Sequence, residues 1–182
     1  RLFFLQEQAK KPPHTLAETA SPDTIRNAAV IGAGAMGGGI ALLWAKKNIP
    51  VRLKDLKEEH VGNGLKAVRK LVQSDRKRRK LTELQETRIW ENLSPTVDYT
   101  GFAHMDIVLE AIVEDLDIKR SLFQELAKHV RPDTVLATNT SSLKVADIAE
   151  PIPHPERVVG VHFFNPPGKM PLVEIISGKD TS

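Results

Sequence analysis

The chain of 182 residues is 41% hydrophobic, carries no cysteine and has a formal net charge of +3. Its apolar content supports one ordinary domain with a real core plus an appendage, and the lack of thiols excludes disulfides and cysteine nucleophiles while fitting a reducing compartment. The charge is modest and its basic excess lies mostly between Lys66 and Lys80, so an acidic partner is expected to be met locally rather than by the whole surface.

The chain opens on Arg1 and shows neither a signal-like segment nor an apolar span of membrane length, so it reads as an excised piece. Leu2, Phe3, Phe4 and Leu5 form an apolar patch, followed by basic residues and then by the aperiodic run KPPHTLAETASPDT. This pattern predicts the end of a helix and a linker over residues 1–25, with the patch packed on this domain or on an upstream one. A domain over residues 26–182 follows. With no transit-like segment visible, a cytoplasmic location is favoured over a mitochondrial matrix.

Residues 28–41 read AAVIGAGAMGGGIA, a short apolar run that passes into a glycine-spaced turn and then a helix. Residues 28–31 are expected as a buried strand. Gly32 permits the tight turn, Gly34 lets a pyrophosphate approach bare backbone N–H groups, and Gly37 lets the helix pack closely on the strand. The helix N-terminus then points its unpaired N–H groups and partial positive charge at the phosphates. A second strand, residues 50–54, leads to Asp55, placed where this fold expects a carboxylate to hold the adenosine ribose. Such a group repels a 2′-phosphate, which favours NAD over NADP. Arg52 and Lys54 are close by, and alternation along the strand is expected to turn at least one of them away from the ligand. The plainer reading of Asp55 is a turn residue at the strand end.

From Lys57 to about Lys80, Val61, Leu65, Val68, Leu71 and Val72 recur at helical spacing, predicting a long amphipathic helix that ends in RKRRK. That run is either a solvated helix end suited to the helix dipole or a landing site for a phosphorylated ligand such as coenzyme A. It lacks interleaved aromatics, which argues against single-stranded nucleic acid. Thr82 and Glu83 open a shorter helix to about Leu93, which Ser94 and Pro95 end. Residues 106–112 (DIVLEAI) predict a strand, followed by a helix with Ile118, Leu122, Leu126 and Val130 on one face. Residues 134–138 form the next strand, NTSS a polar turn and residues 143–149 a short helix; 158–164 and 172–176 are two further strands. This alternation predicts an α/β fold with a doubly wound, mainly parallel sheet and ligands at the carboxyl ends of its strands.

At the end of one such strand stands His162, with Glu174 twelve residues beyond in LVEII. A histidine at the ligand edge can take a proton, and a glutamate folded back onto it can fix its tautomer and stabilise the imidazolium. The alternative is a structural histidine with a salt-bridging glutamate. Asn139, Thr140, Ser141 and Ser142 face the same edge, either as hydrogen-bond donors to a small oxygen-bearing group or as the cap of the following helix. His14, His129 and His154 lack metal-ligand spacing, so no metal is expected.

Taken in order, GAGAMGGGIA, EAIVED, LATNTSSL and HFFNPPGKMPLVEII resemble the NAD-binding domain of L-3-hydroxyacyl-CoA dehydrogenases over about residues 26–177. The N-terminal segment resembles the stretch that follows the enoyl-CoA hydratase half of multifunctional fatty-acid oxidation proteins. The resemblance implies a Rossmann-type domain, His162 as catalytic base with Glu174 as its partner, and Ser141 as a contact to the substrate oxygen. It also implies cofactor contacts from Gly32, Gly34, Met36, Gly37, Asp55, Glu114, Lys119 and Asn139. The implied reaction removes the 3-hydroxyl proton of an acyl-CoA while the C3 hydride passes to NAD in fatty-acid β-oxidation. Implied partners are an upstream hydratase-like domain, a downstream helical domain that completes the acyl-CoA site and is missing here, and a thiolase subunit. Two rivals remain: a β-hydroxyacid dehydrogenase acting on a free acid, which should use a lysine on a later helix as its base, and a dinucleotide-binding module without chemistry.

Overall fold

A computed structural model describes residues 25–182. The expectations for the apolar patch at residues 2–5, for His14 and for the linker lie outside the described residues. In chain order the elements are β1 (Ala28–Ile31), α1 (Ala35–Lys46), β2 (Val51–Lys54), α2 (Glu58–Lys77), α3 (Glu83–Glu91), β3 (Leu93–Thr96) and β4 (Ile107–Glu110). They continue with α4 (Leu116–Leu126), β5 (Val135–Thr138), α5 (Val145–Ala149), β6 (Val158–Phe163) and β7 (Val173–Ser177).

The strands form one sheet in the order β3-β2-β1-β4-β5-β6-β7. Every pair is parallel except β6 with β7, which is antiparallel. The order runs outward in both directions from β1, which makes the point between β1 and β4 the crevice where such sheets take ligands. Helices cover both faces because the strands are apolar on both. Alternate residues Val30, Leu53, Leu109 and Ala137 join Ile40, Val68 and Ile89 from α1, α2 and α3 on one face. Their neighbours Ala29, Ile31, Val108 and Leu136 pack with Phe123, Leu126 and Ile148 from α4 and α5 on the other. Each fully buried side chain of this size contributes about 1.5–3 kcal/mol of burial energy.

The doubly wound sheet agrees with the expectation from the sequence, and several boundaries need correction. Instead of ending in a turn at Ser94-Pro95, the helix predicted to reach Leu93 stops at Glu91, and the chain enters β3, pairing Leu53 with Pro95. Proline is tolerated there because β3 is an edge strand. The start of α3 is a capping box, in which Thr82 Oγ1 accepts from the Gln85 N–H and the Gln85 side chain accepts from the Thr82 N–H. α2 ends at Lys77 rather than near Lys80, with Arg79 in the left-handed region just beyond. Arg52 and Lys54, being two residues apart, leave β2 on the same face, so alternation does not separate them. Lys54 lines the ligand cleft, while Arg52 lies one pleat further back, beneath Gly101.

Candidate functional site

The turn after β1 is built as its glycines require. Gly32 has φ +101, and a side chain there would meet the Ala111 carbonyl oxygen at 2.6 Å. A Cβ on Gly37 would run into the Gly32 carbonyl, so α1 can approach β1 this closely only without one. Gly34 faces open space and caps α1 with no side-chain hydrogen bond, and the first turn of the helix holds no acidic residue. The first-turn N–H groups therefore have no side-chain acceptor and point outward, a cradle that fits the two phosphates of a dinucleotide.

Asp55, one residue past β2, receives the Ala33 N–H on Oδ2 at 2.8 Å and the Leu56 N–H on Oδ1 at 2.7 Å. The His60 ring lies 3.0 Å from Oδ1. Burial pushes this carboxyl up, yet the Ala33 N–H, His60 and the Leu56 N–H outweigh it and hold the group below its ordinary value, ionised. Asp55 is thus tied to the glycine turn and is more than a strand-end turn residue. Both border a cavity of about 820 Å³ whose other walls include Met36, Tyr99, Ile112, Ile118 and Leu122.

At the ends of β4 and β5, residues from three elements converge. Glu110, fully buried, accepts from the Ile112 N–H (2.7 Å) and from Lys119 Nζ (2.5 Å) on Oε1, and from Thr138 Oγ1 (2.7 Å) on Oε2. Lys119, only 1% exposed, also reaches Glu114 Oε2 at 3.3 Å. Glu114 Oε1 in turn accepts from Thr140 Oγ1, from the N–H groups of Ser141 and Ser142 and from Ser142 Oγ. Burial raises the Glu114 carboxyl, but the Thr140 hydroxyl, the Ser141 N–H, the Lys119 ammonium and Ser142 bring it down to about 2. The NTSS turn is therefore folded around Glu114. Neither serine caps α5: its N-cap is Lys144, without a side-chain bond, and the helix starts at Val145 rather than Leu143. Glu110 was not expected as a site residue, since residues 106–112 read as an apolar run; its only signal was the spacing to Glu114 in the loop and Lys119 on α4.

His162 and Glu174 are direct cross-strand partners in the antiparallel β6–β7 ladder. His162 Nδ1 lies 2.8 Å from Glu174 Oε2, and the Phe164 ring stands 4.7 Å from the imidazole between centroids. An ionised carboxylate only accepts, so the proton between them is assigned to Nδ1, and Nε2 keeps its lone pair. Asn139 ties this corner to β5, its Oδ1 accepting the Phe163 N–H at 2.8 Å. Gly160 faces Val145 of α5, and two residues on, His162 shares that face with the NTSS turn.

The glycine turn, Asp55, Glu114, Lys119, Asn139, Ser141, His162 and Glu174 thus lie along one carboxyl rim of the sheet. Asp55 and His162 are at strands four spacings apart, roughly 19 Å at the usual spacing, a gap only an extended ligand bridges. His129 stacks on Tyr99 and pairs with Glu125, and His154 pairs with Glu156. Among the described residues no three His, Asp or Glu side chains converge as a metal-binding group.

A family model described as 3-hydroxyacyl-CoA dehydrogenase, NAD binding domain, matches residues 27–182. Among solved structures, 3-hydroxybutyryl-CoA dehydrogenase from Escherichia coli K12 is 40% identical with a TM-score of 0.85, over 88% of this chain and 34% of that one. (S)-3-hydroxybutyryl-CoA dehydrogenase PaaH1 from Ralstonia eutropha is 33% identical, TM-score 0.85, over 87% of this chain and 56% of that one. The dehydrogenase part of multifunctional enzyme 1 from C. elegans is 28% identical, TM-score 0.82, over 95% and 39% respectively. This chain therefore spans between a third and somewhat more than half of the length of these relatives.

Proposed function

The chain belongs to the 3-hydroxyacyl-CoA dehydrogenase family, as an NAD-binding domain, and on that premise we propose that it carries the base and cofactor half of a site that oxidises L-3-hydroxyacyl-CoA to 3-ketoacyl-CoA. The observation that carries the reading is the His162–Glu174 pair, held in register at the rim that also bears the glycine turn. NAD, bound along that turn, supplies the acceptor for the hydride leaving C3. The first-turn N–H groups of α1 would hold its phosphates, with Gly32, Gly34, Met36 and Gly37 lining the approach, and Asp55 would hold the adenosine ribose. Glu114, Lys119 and Asn139 would serve its nicotinamide half.

His162 Nε2 takes the proton of the 3-hydroxyl, and Glu174 stabilises the resulting imidazolium through Nδ1. Ser141 donates to the substrate oxygen. A positioned base contributes about 10²–10⁴ in rate, and alignment of the reacting carbons supplies much of the rest. One feature supports the coenzyme A assignment: a cleft of about 390 Å³ runs between α1, α2 and the loop at 165–169. The basic end of α2 lies away from the rim, with Arg76 tied to Glu86, which suits a solvated helix end.

The exposed apolar residues Val173, Ile175 and Ile176 on β7, with Ile175 67% exposed, favour a helical domain that follows and completes the acyl-CoA site. The likeness to the dehydrogenase part of a multifunctional enzyme supports a chain that works beside further domains; a β-oxidation role, a hydratase-like domain upstream and a thiolase partner are the reading that the resemblance of the N-terminal segment favours. A cysteine-free chain in which no described helix is long and apolar enough to cross a membrane fits a cytoplasmic setting. In the longer protein with the helical domain, His162→Gln abolishes oxidation while NADH binding, followed by fluorescence, persists. Loss of NADH affinity instead overturns the assignment of the base. Titrating this chain with NADH, with and without acetoacetyl-CoA, separates a dehydrogenase domain that holds both from a module that holds the cofactor alone.

A further inference from the structure

We propose that Lys54 is an additional cofactor-binding residue that reads the adenine base of NAD, its ammonium donating a hydrogen bond to a ring nitrogen of the purine. The inference rests on the NAD reading above and adds a contact that neither the glycine turn nor Asp55 makes.

Lys54 ends β2 one residue before Asp55, so their side chains leave the strand on opposite faces. Asp55 turns to the glycine loop, and Lys54 turns to the face covered by α4, where it lines the 820 Å³ cavity. It is 3% exposed, and its Nζ sits 4.5 Å from the centroid of the Tyr99 ring. Among the described residues no hydrogen bond or ion pair engages that ammonium; Asp55 and Asp98 act on it only at longer range. The side chain is buried while its ammonium borders the open cavity, so an acceptor held there would meet a donor that no protein group engages. Burial accordingly pushes its pKa below the ordinary lysine value.

The wall opposite is aliphatic, built from Ile112, Val113, Ile118 and Leu122. Such a space suits a flat heterocycle that presents apolar faces to the walls and acceptor nitrogens to a donor-only group. Adenine is that heterocycle, and it is attached to the ribose assigned to Asp55, the residue next to Lys54. A 2′-phosphate suits the ammonium less well, because the ionised Asp55 carboxylate repels it at the same point.

The test compares this chain with Lys54→Met by titration with NADH, ADP-ribose and reduced nicotinamide mononucleotide, which lacks the adenosine half. The expected result is a rise of about tenfold or more in Kd for NADH and ADP-ribose, the size of one hydrogen bond to a charged donor, with the mononucleotide unchanged. If Lys54→Met does not fold, Lys54→Leu, which also removes the donor, serves with the same expectations. A Kd for NADH within twofold of the original overturns the inference, and so does an equal loss for the mononucleotide, which marks a purely structural lysine. Weakened NADPH binding with unchanged NADH binding assigns the ammonium to the phosphate and overturns the adenine contact. If the unmutated chain binds no NADH at all, the dinucleotide site falls and this inference with it.

Discussion

At the scale of single residues, two carboxylates are held ionised by different neighbours. Asp55 is fixed by backbone N–H groups from both sides of the cleft and by His60. On the proposed reading its negative charge stands where NADP would bring a phosphate, so Asp55→Ala is expected to raise the Kd for NAD and narrow the preference over NADP. An unchanged ratio of the two affinities in parallel titrations counts against a ribose role. Glu114 titrates at about 2, below its ordinary 4.5. A depressed carboxyl stabilises the fold fully above 4.5 and loses that contribution as pH falls toward 2. The chain should therefore melt higher than Glu114→Gln at pH 7 and 5, and the gap should close between pH 4.5 and 2. A melting difference that persists below pH 2 contradicts the role given to the turn. Asp55 was legible in the sequence because its distance from the glycine turn is set by one strand–helix–strand unit. The partners of Glu114 were not, since nothing in NTSS says that its donors point back toward β4.

At the scale of elements, α4 is anchored to the sheet by a charge as well as by its apolar face. Lys119 is the only basic residue on the buried side of this helix, and it neutralises Glu110 inside the core. Lys119→Met leaves a buried carboxylate without its cation, and an unfolding free-energy loss of about 3–5 kcal/mol is expected in chemical denaturation. Combining it with Glu110→Leu should restore much of the loss; if the double variant is as unstable as the single, the pair is not what holds the helix. Sequence periodicity located α2 and α4, whose apolar residues recur on one face, whereas α1 followed from the glycine turn. It missed β3, where the serine and proline that usually stop a helix are accommodated at a sheet edge. It also read Glu110 as part of an apolar strand, because a single acidic residue in such a run looks the same whether or not a lysine reaches it.

At the scale of the whole molecule, the two edges of the sheet differ. β3 is short and carries a proline, which discourages further pairing. β7 is exposed along its length, and Leu172, Val173, Ile175 and Ile176 are all large and apolar. A chain of this length is expected to self-associate through that surface, and Ile175→Lys should reduce the association seen in sedimentation velocity without altering NADH affinity. Equal sedimentation of the two forms would place the sticky surface elsewhere. The parallel body of the sheet was foreseeable from strand and helix alternation. The direction of β7 was not, because the loop between His162 and Glu174 contains no element whose length dictates a crossover.

That reversal has an evolutionary corollary. Since His162 and Glu174 are registered by the main-chain ladder, the span from 164 to 172 does not set their separation. The same span contributes Asn165 to Lys169 to the wall of the neighbouring cleft. On the proposed reading, insertions or replacements there can reshape that cleft while the His162–Glu174 pair keeps its ladder register, so the shape of the cleft and the geometry of the pair can drift independently.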